Sequence, residues 1–443
     1  MTNPLLESHE LPAFADIRPE HVEPAIRELL DANRRELNAL LDSGADTWDT
    51  LVAPLEEMQH RLARTWSPVG HLNGVLNSEP LRAAYNACLP LLTAWHTELA
   101  QNERLYRAYE QILAREGARL DAGQRKLLEN ALRDFRLAGV ALPQERKERF
   151  KTLMEQLATL QSKFDENVLD ATNAWSRHVT DVKELEGLPK PIVERARHAA
   201  QSRGLEGWFF TLDAPNYQAV MMHGAHEPLR RAFYEGWVTR ASDQDGHGGR
   251  WDNSALMTQI LDVRHELAGL VGFANYAQYS LATKMASSVE EVRTFLEQLA
   301  DRSRPVAERE YAELERFAGR ALNAWDVSYY GERLKWERFQ LSEEALRPYF
   351  PLPRVLDGLF QVAERLYGVR IAERPVGEAP GAVEVYHPDV RFFDILDADG
   401  SRRGGFFVDL YAREKKRGGA WMDECVGRKG FGGDTALPIA YLG

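Results

Sequence analysis

The sequence predicts a mainly α-helical protein with a small β-sheet near its C-terminal end. Two observations carry that prediction. Apolar residues recur at three- and four-residue steps over long stretches of the chain, and after Pro380 they shift to short, strand-length runs. A third, the placing of Pro and Gly, marks where elements start and stop.

From Pro19 to about Leu142 the pattern is helical, with breaks expected at Pro54, Pro68, Pro80 and Pro90. Pro143 then stands at the first turn of a long helix, where its missing N–H costs nothing. Along it Phe150, Leu153, Met154, Leu157, Leu160, Phe164 and Val168 form one apolar stripe between charged residues. Between Lys183 and Pro215 the periodicity weakens and Gly and Pro accumulate, which reads as a junction holding one short strand, Trp208 to Leu212. Helices resume near Glu227. Ser288 and Glu291 have capping-box spacing ahead of Val289, Val292, Phe295, Leu296 and Leu299. Pro353 opens a further amphipathic helix that Gly368 stops. Strands are expected at Val383–Tyr386, Val390–Leu396, Gly405–Tyr411 and Leu437–Leu442, with Asp397 to Gly400 as a hairpin turn. The last of these would offer an apolar edge to water.

With 443 residues, the chain has room for about three domains. Hydrophobic residues make up 44% of it and charged residues 28%, enough for a core inside an ordinary polar surface. A net charge of -12 argues against a nucleic-acid surface or an anionic membrane patch. No signal peptide and no membrane-length apolar run is present, so a cytoplasmic location is expected. Cys88 and Cys425 form no disulfide framework and read as small apolar fillers.

A helical zinc hydrolase site needs His-Glu-x-x-His, because a four-residue step turns both imidazoles toward one metal. His265-Glu266-Leu267-Ala268-Gly269 has Gly in place of the second His, and His226-Glu227-Pro228-Leu229-Arg230 has Arg. Both read as ordinary helical histidines. Asp397, Asp399 and Gly400 fail as a calcium loop because Ile395 and Phe406 occupy two ligand positions. The Gly-rich run Gly427 to Gly433 matches no nucleotide fingerprint and reads as a hairpin connection. Trp325 to Tyr330 reads as a packing corner, with Asp326 capping the next helix turn. Arg413 to Met422 reads either as a strand-to-strand turn or as backbone kept bare to lie beside an extended ligand.

Several blocks, taken together, carry a resemblance. They include Ile17-Arg18-Pro19-Glu20-His21-Val22, Ser67-Pro68-Val69-Gly70-His71-Leu72-Asn73 and Asn167-Val168-Leu169-Asp170-Ala171-Thr172. Others are Ser280-Leu281-Ala282-Thr283-Lys284-Met285-Ala286, Arg347-Pro348-Tyr349-Phe350-Pro351 and His387-Pro388-Asp389-Val390-Arg391-Phe392-Phe393. Asp409-Leu410-Tyr411-Ala412-Arg413-Glu414 and Gly418-Gly419-Ala420-Trp421-Met422 complete the set. In this order and spacing the chain resembles the thimet oligopeptidase family of zinc metallopeptidases over essentially its whole length.

The resemblance implies a helical, clam-like scaffold around a deep channel that admits short peptides, with a small sheet beside the zinc helix. It divides the chain into an N-terminal helical domain (1–182), a junction (183–224) and the first part of a catalytic domain (225–443), truncated. In the family, zinc polarises the scissile carbonyl and the motif Glu acts as general base. The family's zinc ligands and its substrate-orienting His and Tyr have no counterpart in these residues. Zinc is therefore expected in the full-length enzyme but not on this chain, which is expected to be inactive alone. Arg413, Arg417, Gly418, Gly419 and Trp421 are the candidates for the substrate cleft, and short peptides are the expected partners, with neither nucleic acid nor membrane. The alternative is a non-catalytic helical protein that binds peptides or a partner.

Overall fold

The structure is a computed structural model and describes residues 3–7, 9–377, 379, 381–430 and 435–443. The Gly-rich run read as a hairpin connection falls outside the described residues at 431–433.

Helices α1 (Pro19–Asp42), α2 (Ala53–Val75), α3 (Glu79–Ala100), α4 (Glu103–Glu116) and α5 (Ala122–Leu137) fill the first part of the chain. Pro54 and Pro80 sit at helix starts, as expected of a residue without an amide hydrogen. Pro68 and Pro90 do not break the chain: they lie inside α2 and α3. Each forfeits one helical hydrogen bond, and around Pro68 the buried side chains of Leu62, Val69 and Leu72 hold α2 together across the loss. Helix α6 (Gln144–Ala174) follows Pro143, whose carbonyl accepts from Arg146 and Lys147 N–H at 3.0 Å each. Phe150, Leu153, Leu157 and Leu160 of its apolar stripe are buried.

Beyond it come β1 (Ser176–Val179), α7 (Lys190–Gln201), β2 (Trp208–Thr211), α8 (Ala214–His223) and α9 (Glu227–Val238). Then follow α10 (Ser254–Leu270), α11 (Tyr276–Leu281), α12 (Val289–Ala318), α13 (Val327–Phe339), α14 (Glu343–Leu346) and α15 (Leu352–Tyr367). The remaining strands are β3 (Arg370–Arg374), β4 (Arg391–Leu396), β5 (Arg402–Val408), β6 (Met422–Val426) and β7 (Ile439–Leu442). Ser288 caps α12 by accepting from the Glu291 N–H at 3.1 Å, but Glu291 reaches back to Ser287 rather than closing the box on Ser288. Gly368 ends α15 in the left-handed region, at φ 67°, where a side chain would be strained. No described helix is long and apolar enough to cross a membrane.

Contacts group the chain into two units, Met1–Ser162 with Gln259–Tyr279 and Val362–Gly443, and Lys163–Thr258 with Ser280–Gln361. The first unit holds the N-terminal helices and a sheet of order β3-β4-β5-β7-β6. β3, β4 and β5 are antiparallel neighbours; β7 runs parallel to β5 and antiparallel to β6. The Asp397 to Gly400 turn joins β4 to β5 as expected, with Gly400 N–H donating to the Asp397 carbonyl at 2.9 Å.

The sheet corrects three expectations. Val383–Tyr386 is no strand, since it contributes only an isolated bridge between Val383 and Val376. The expected strand at 405–411 starts earlier, at Arg402, and ends before Asp409, whose carboxylate is drawn into an ion cluster. β7 is not an exposed edge: it is hydrogen-bonded on both sides, and Ile439 and Tyr441 are buried. β1, β3 and β6 are short, and none shows the alternating apolar pattern that marks a half-buried strand.

Helix α2 packs on this sheet. Ser67 Oγ donates to the Glu424 carbonyl at 2.6 Å, and the His71 ring stacks on Tyr441 at 3.7 Å. Phe14 meets Tyr386 and Phe407 edge-on at 5.2 and 5.5 Å, so aromatic rings from opposite ends of the sequence share one core.

The second unit closes around Phe210, Val220, Leu229 and Phe233, over the β1-β2 ladder. Asp326 does not cap the following turn. Its fully buried carboxylate faces back instead, accepting from Arg230 at 2.7 Å, Arg320 at 3.0 Å and the Asn323 N–H at 3.0 Å, since a buried charge needs partners of opposite charge. Arg230 in turn donates to the Gly224 and Ala225 carbonyls and lies 4.2 Å over the Tyr329 ring.

Candidate functional site

The segment leaving β5 holds all the cleft candidates, and Asp409 organises it. With 1% of its surface exposed, Asp409 receives Arg413 through both terminal nitrogens at 2.7 Å each. Tyr386 Oη adds a hydrogen bond at 3.0 Å and Lys416 Nζ an ion pair at 3.0 Å. Burial alone would raise the Asp409 pKa, but the bonds from Arg413 and Lys416 overcome it and hold the carboxyl below its ordinary value. Burial lowers the pKa of Lys416, with Asp409 opposing. The Tyr386 hydroxyl is pushed far above its usual range, first by burial and then by the Asp409 charge. One carboxylate thus faces two cations, which leaves the segment with a surplus of positive charge.

The backbone of the same segment is tied to the end of α2. Arg417 N–H donates to the Gly74 carbonyl at 2.8 Å, Asn77 N–H to the Lys415 carbonyl at 3.3 Å, and Arg413 Nη2 to the Val75 carbonyl at 3.3 Å. Lys415 pays for the tight bend with φ 66°, and Gly419 turns at φ 100°, a conformation that favours glycine. Trp421 and Gly443 exchange backbone hydrogen bonds at 3.0 and 2.9 Å. The Arg417 guanidinium lies 4.1 Å over the Trp421 ring.

Of the five candidates, Arg413 has its guanidinium committed to Asp409. Arg417, Gly418 and Gly419 are exposed, and Trp421 is half-buried beneath Arg417. The structure therefore joins Arg417 to Trp421, while Arg413 is held by Asp409 and the Val75 carbonyl. Asp409, Tyr386, Lys416 and His71 were not singled out from the sequence. The spacing of Asp409 and Arg413, four residues apart, was the one local signal; Tyr386 and His71 lie too far away in sequence to be linked to them.

His71 is buried, and loss of hydration drops its pKa to about 3, so its imidazole is neutral against Tyr441. Burial pushes both Cys88 and Cys425 up to about 12, which makes them inert thiols.

In each incomplete zinc motif the structure gives one residue a partner other than a metal. Glu266, beside His265, is bound by Arg149 through two bonds of 2.6 Å, and His226 Nδ1 lies 3.7 Å from Glu184. Among the described residues no group of three or more His, Cys, Asp or Glu side chains is placed to hold a metal ion.

Residues 220–442 match the family profile described as Peptidase family M3, and residues 26–147 match the N-terminal domain of neurolysin and thimet oligopeptidase. Over its whole length the chain is 46% identical to Oligopeptidase A of Escherichia coli K12 and 43% identical to that of Haemophilus influenzae. It is 31% identical, over 99% of its length, to Dipeptidyl carboxypeptidase of Salmonella typhimurium. In each case it spans 65% of the relative's length. Among solved structures, PZ peptidase A bound to an inhibitor is similar at a TM-score of 0.46 and 15% identity, over 72% of this chain and 48% of that one.

Proposed function

The chain belongs to peptidase family M3, and on that premise we propose that it forms the channel wall and part of the catalytic-domain sheet of a zinc metallo-oligopeptidase acting on short peptides. In this reading residues 1–182 are the N-terminal helical domain, 183–224 a junction and 225–443 the first part of the catalytic domain. Support comes from the two profile matches, one over residues 26–147 and the other over 220–442, starting within the last residues of the junction. The donor groups among the described residues do not fit a zinc ion. Zinc, as Lewis acid and binder of the attacking water, belongs in this reading to the full-length family enzyme. A cytoplasmic location accords with two unpaired cysteines, both buried.

The observation that carries the reading at residue level is the anchored segment after β5. Asp409 fixes Arg413 and Lys416, α2 fixes the backbone, and Arg417 is left stacked on Trp421 at the surface. A flat aromatic face beneath a cation suits an extended peptide, with Arg417 reaching a peptide carbonyl or carboxylate.

The test uses the purified 443-residue chain. Metal analysis by mass spectrometry and a quenched-fluorescence peptide assay should show no stoichiometric zinc and no hydrolysis. A labelled short peptide should bind, and Arg417→Ala or Trp421→Ala should weaken it about tenfold, the loss of one good contact. Zinc-dependent cleavage by this chain, or peptide affinity indifferent to both substitutions, would overturn the proposal.

A further inference from the structure

Helices α2, α3, α4 and α5 enclose a cleft of about 650 Å³ that shares no residue with the segment after β5. Its size lies within the roughly 300–1,000 Å³ range of small-molecule sites. Leu55, Leu105, Leu127 and Phe135 give it apolar walls, and Gln59 and Asn130 add amide groups. Glu56 also lines it, from the first turn of α2.

Glu56 is the unusual member. Burial raises its pKa, yet it has no hydrogen bond and no ion pair among the described residues. The other acid of the lining, Asp134, is already taken by Arg133 at 2.8 Å. Lys126, the cation of the lining, is exposed and makes no ion pair with Glu56. An ammonium group brought against Glu56 would favour its ionised form. A half-buried carboxylate with no cation, set among apolar walls, is complementary to a ligand that brings the cation with it. Tyr109, which feels the Glu56 charge and is buried, adds an aromatic ring to the lining.

We propose that this cleft binds a small apolar amine, whose ammonium group pairs with Glu56 while its hydrocarbon body covers Leu55, Leu105, Leu127 and Phe135. The amide oxygen of Gln59 is an acceptor for a further ammonium hydrogen, while that of Asn130 already accepts from Arg133 at 3.2 Å. Anionic ligands are disfavoured by Glu56 and neutral ones leave it unpaired. The inference does not depend on the peptidase reading.

Calorimetric titration of the chain with phenethylamine and with phenethyl alcohol tests it, since the two differ only in the charged group. The amine should saturate a single site and bind at least about tenfold more tightly than the alcohol. Glu56→Gln should abolish that preference and leave weak binding of both. Ala131→Phe, which fills the cleft from α5, should abolish binding of either. Thermal melting establishes that both variants fold, and if Ala131→Phe does not, Glu56→Gln alone decides. Equal affinity for amine and alcohol, a preference that survives Glu56→Gln, or no saturable binding would each overturn the proposal.

Discussion

The rings of His71 and Tyr441 lie 3.7 Å apart and within 9° of parallel, joining α2 to β7, one strand in from the edge of the sheet. Stacking this close excludes water from the imidazole, which is why His71 stays neutral down to about pH 3.

A pH dependence follows. The folded pKa of His71 is depressed to about 3 from an ordinary 6.5, so the unfolded chain binds the proton more readily. The contribution of His71 is full above the unfolded value and is lost as pH falls from there toward about 3. One proton gives a slope of at most about 1.4 kcal/mol per pH unit in that window. Urea denaturation between those pH values should show a flatter profile for His71→Phe than for the native chain.

Asp409→Asn leaves Arg413 and Lys416 buried beside a neutral amide. Removing one partner of a buried charge cluster costs about 3–5 kcal/mol. Urea denaturation should show that loss. Arg417→Ala, at an exposed position in the same segment, should cost less than about 1 kcal/mol. Equal losses for the two variants would contradict the placement of Asp409 as the anchor.

The second unit offers the same contrast. Arg230→Ala removes the buried cation of Asp326, leaving only the partly exposed Arg320, and should cost about 3–5 kcal/mol. Arg320→Ala removes a partner that is 37% exposed, and should cost about 1 kcal/mol or less. Thermal unfolding of the two variants side by side checks the order.

Leu296 and Leu299 on α12, and Leu359 and Leu366 on α15, are all more than half exposed. Apolar residues so placed on one helix favour self-association. Changing Leu359 and Leu366 to Lys should alter stability by less than about 0.5 kcal/mol each. Sedimentation velocity should show less association than for the native chain.

Much of the helical structure was legible because long amphipathic helices repeat their signal many times. The stripe from Phe150 to Leu160, the Ser288 cap and the Gly368 stop all appear where the spacing puts them. Pro68 and Pro90 misled because packing outweighs a single missing hydrogen bond. The strands were harder: β3 has the sequence Arg-Ile-Ala-Glu-Arg, and its antiparallel ladder with β4 is joined across the strands by ion pairs such as Arg374 with Asp394 and Arg391 with Glu373. At the candidate site, Arg417 and Trp421 were visible as neighbours of glycine bends. The commitment of Arg413 was not, because Tyr386, Asp409 and the end of α2 meet only in three dimensions.

The bond from Arg413 to the Val75 carbonyl spans 338 residues, and that from Ser67 to the Glu424 carbonyl spans 357. At 5–20 residues per second, a ribosome takes roughly 20–70 s to make the strands that cover α2 after α2 itself has emerged. Through that interval the flank of α2 carrying His71 has no sheet to rest on. Newly made protein is therefore most exposed to misassembly on its N-terminal side, where a folding helper that shields α2 would have its greatest effect on yield.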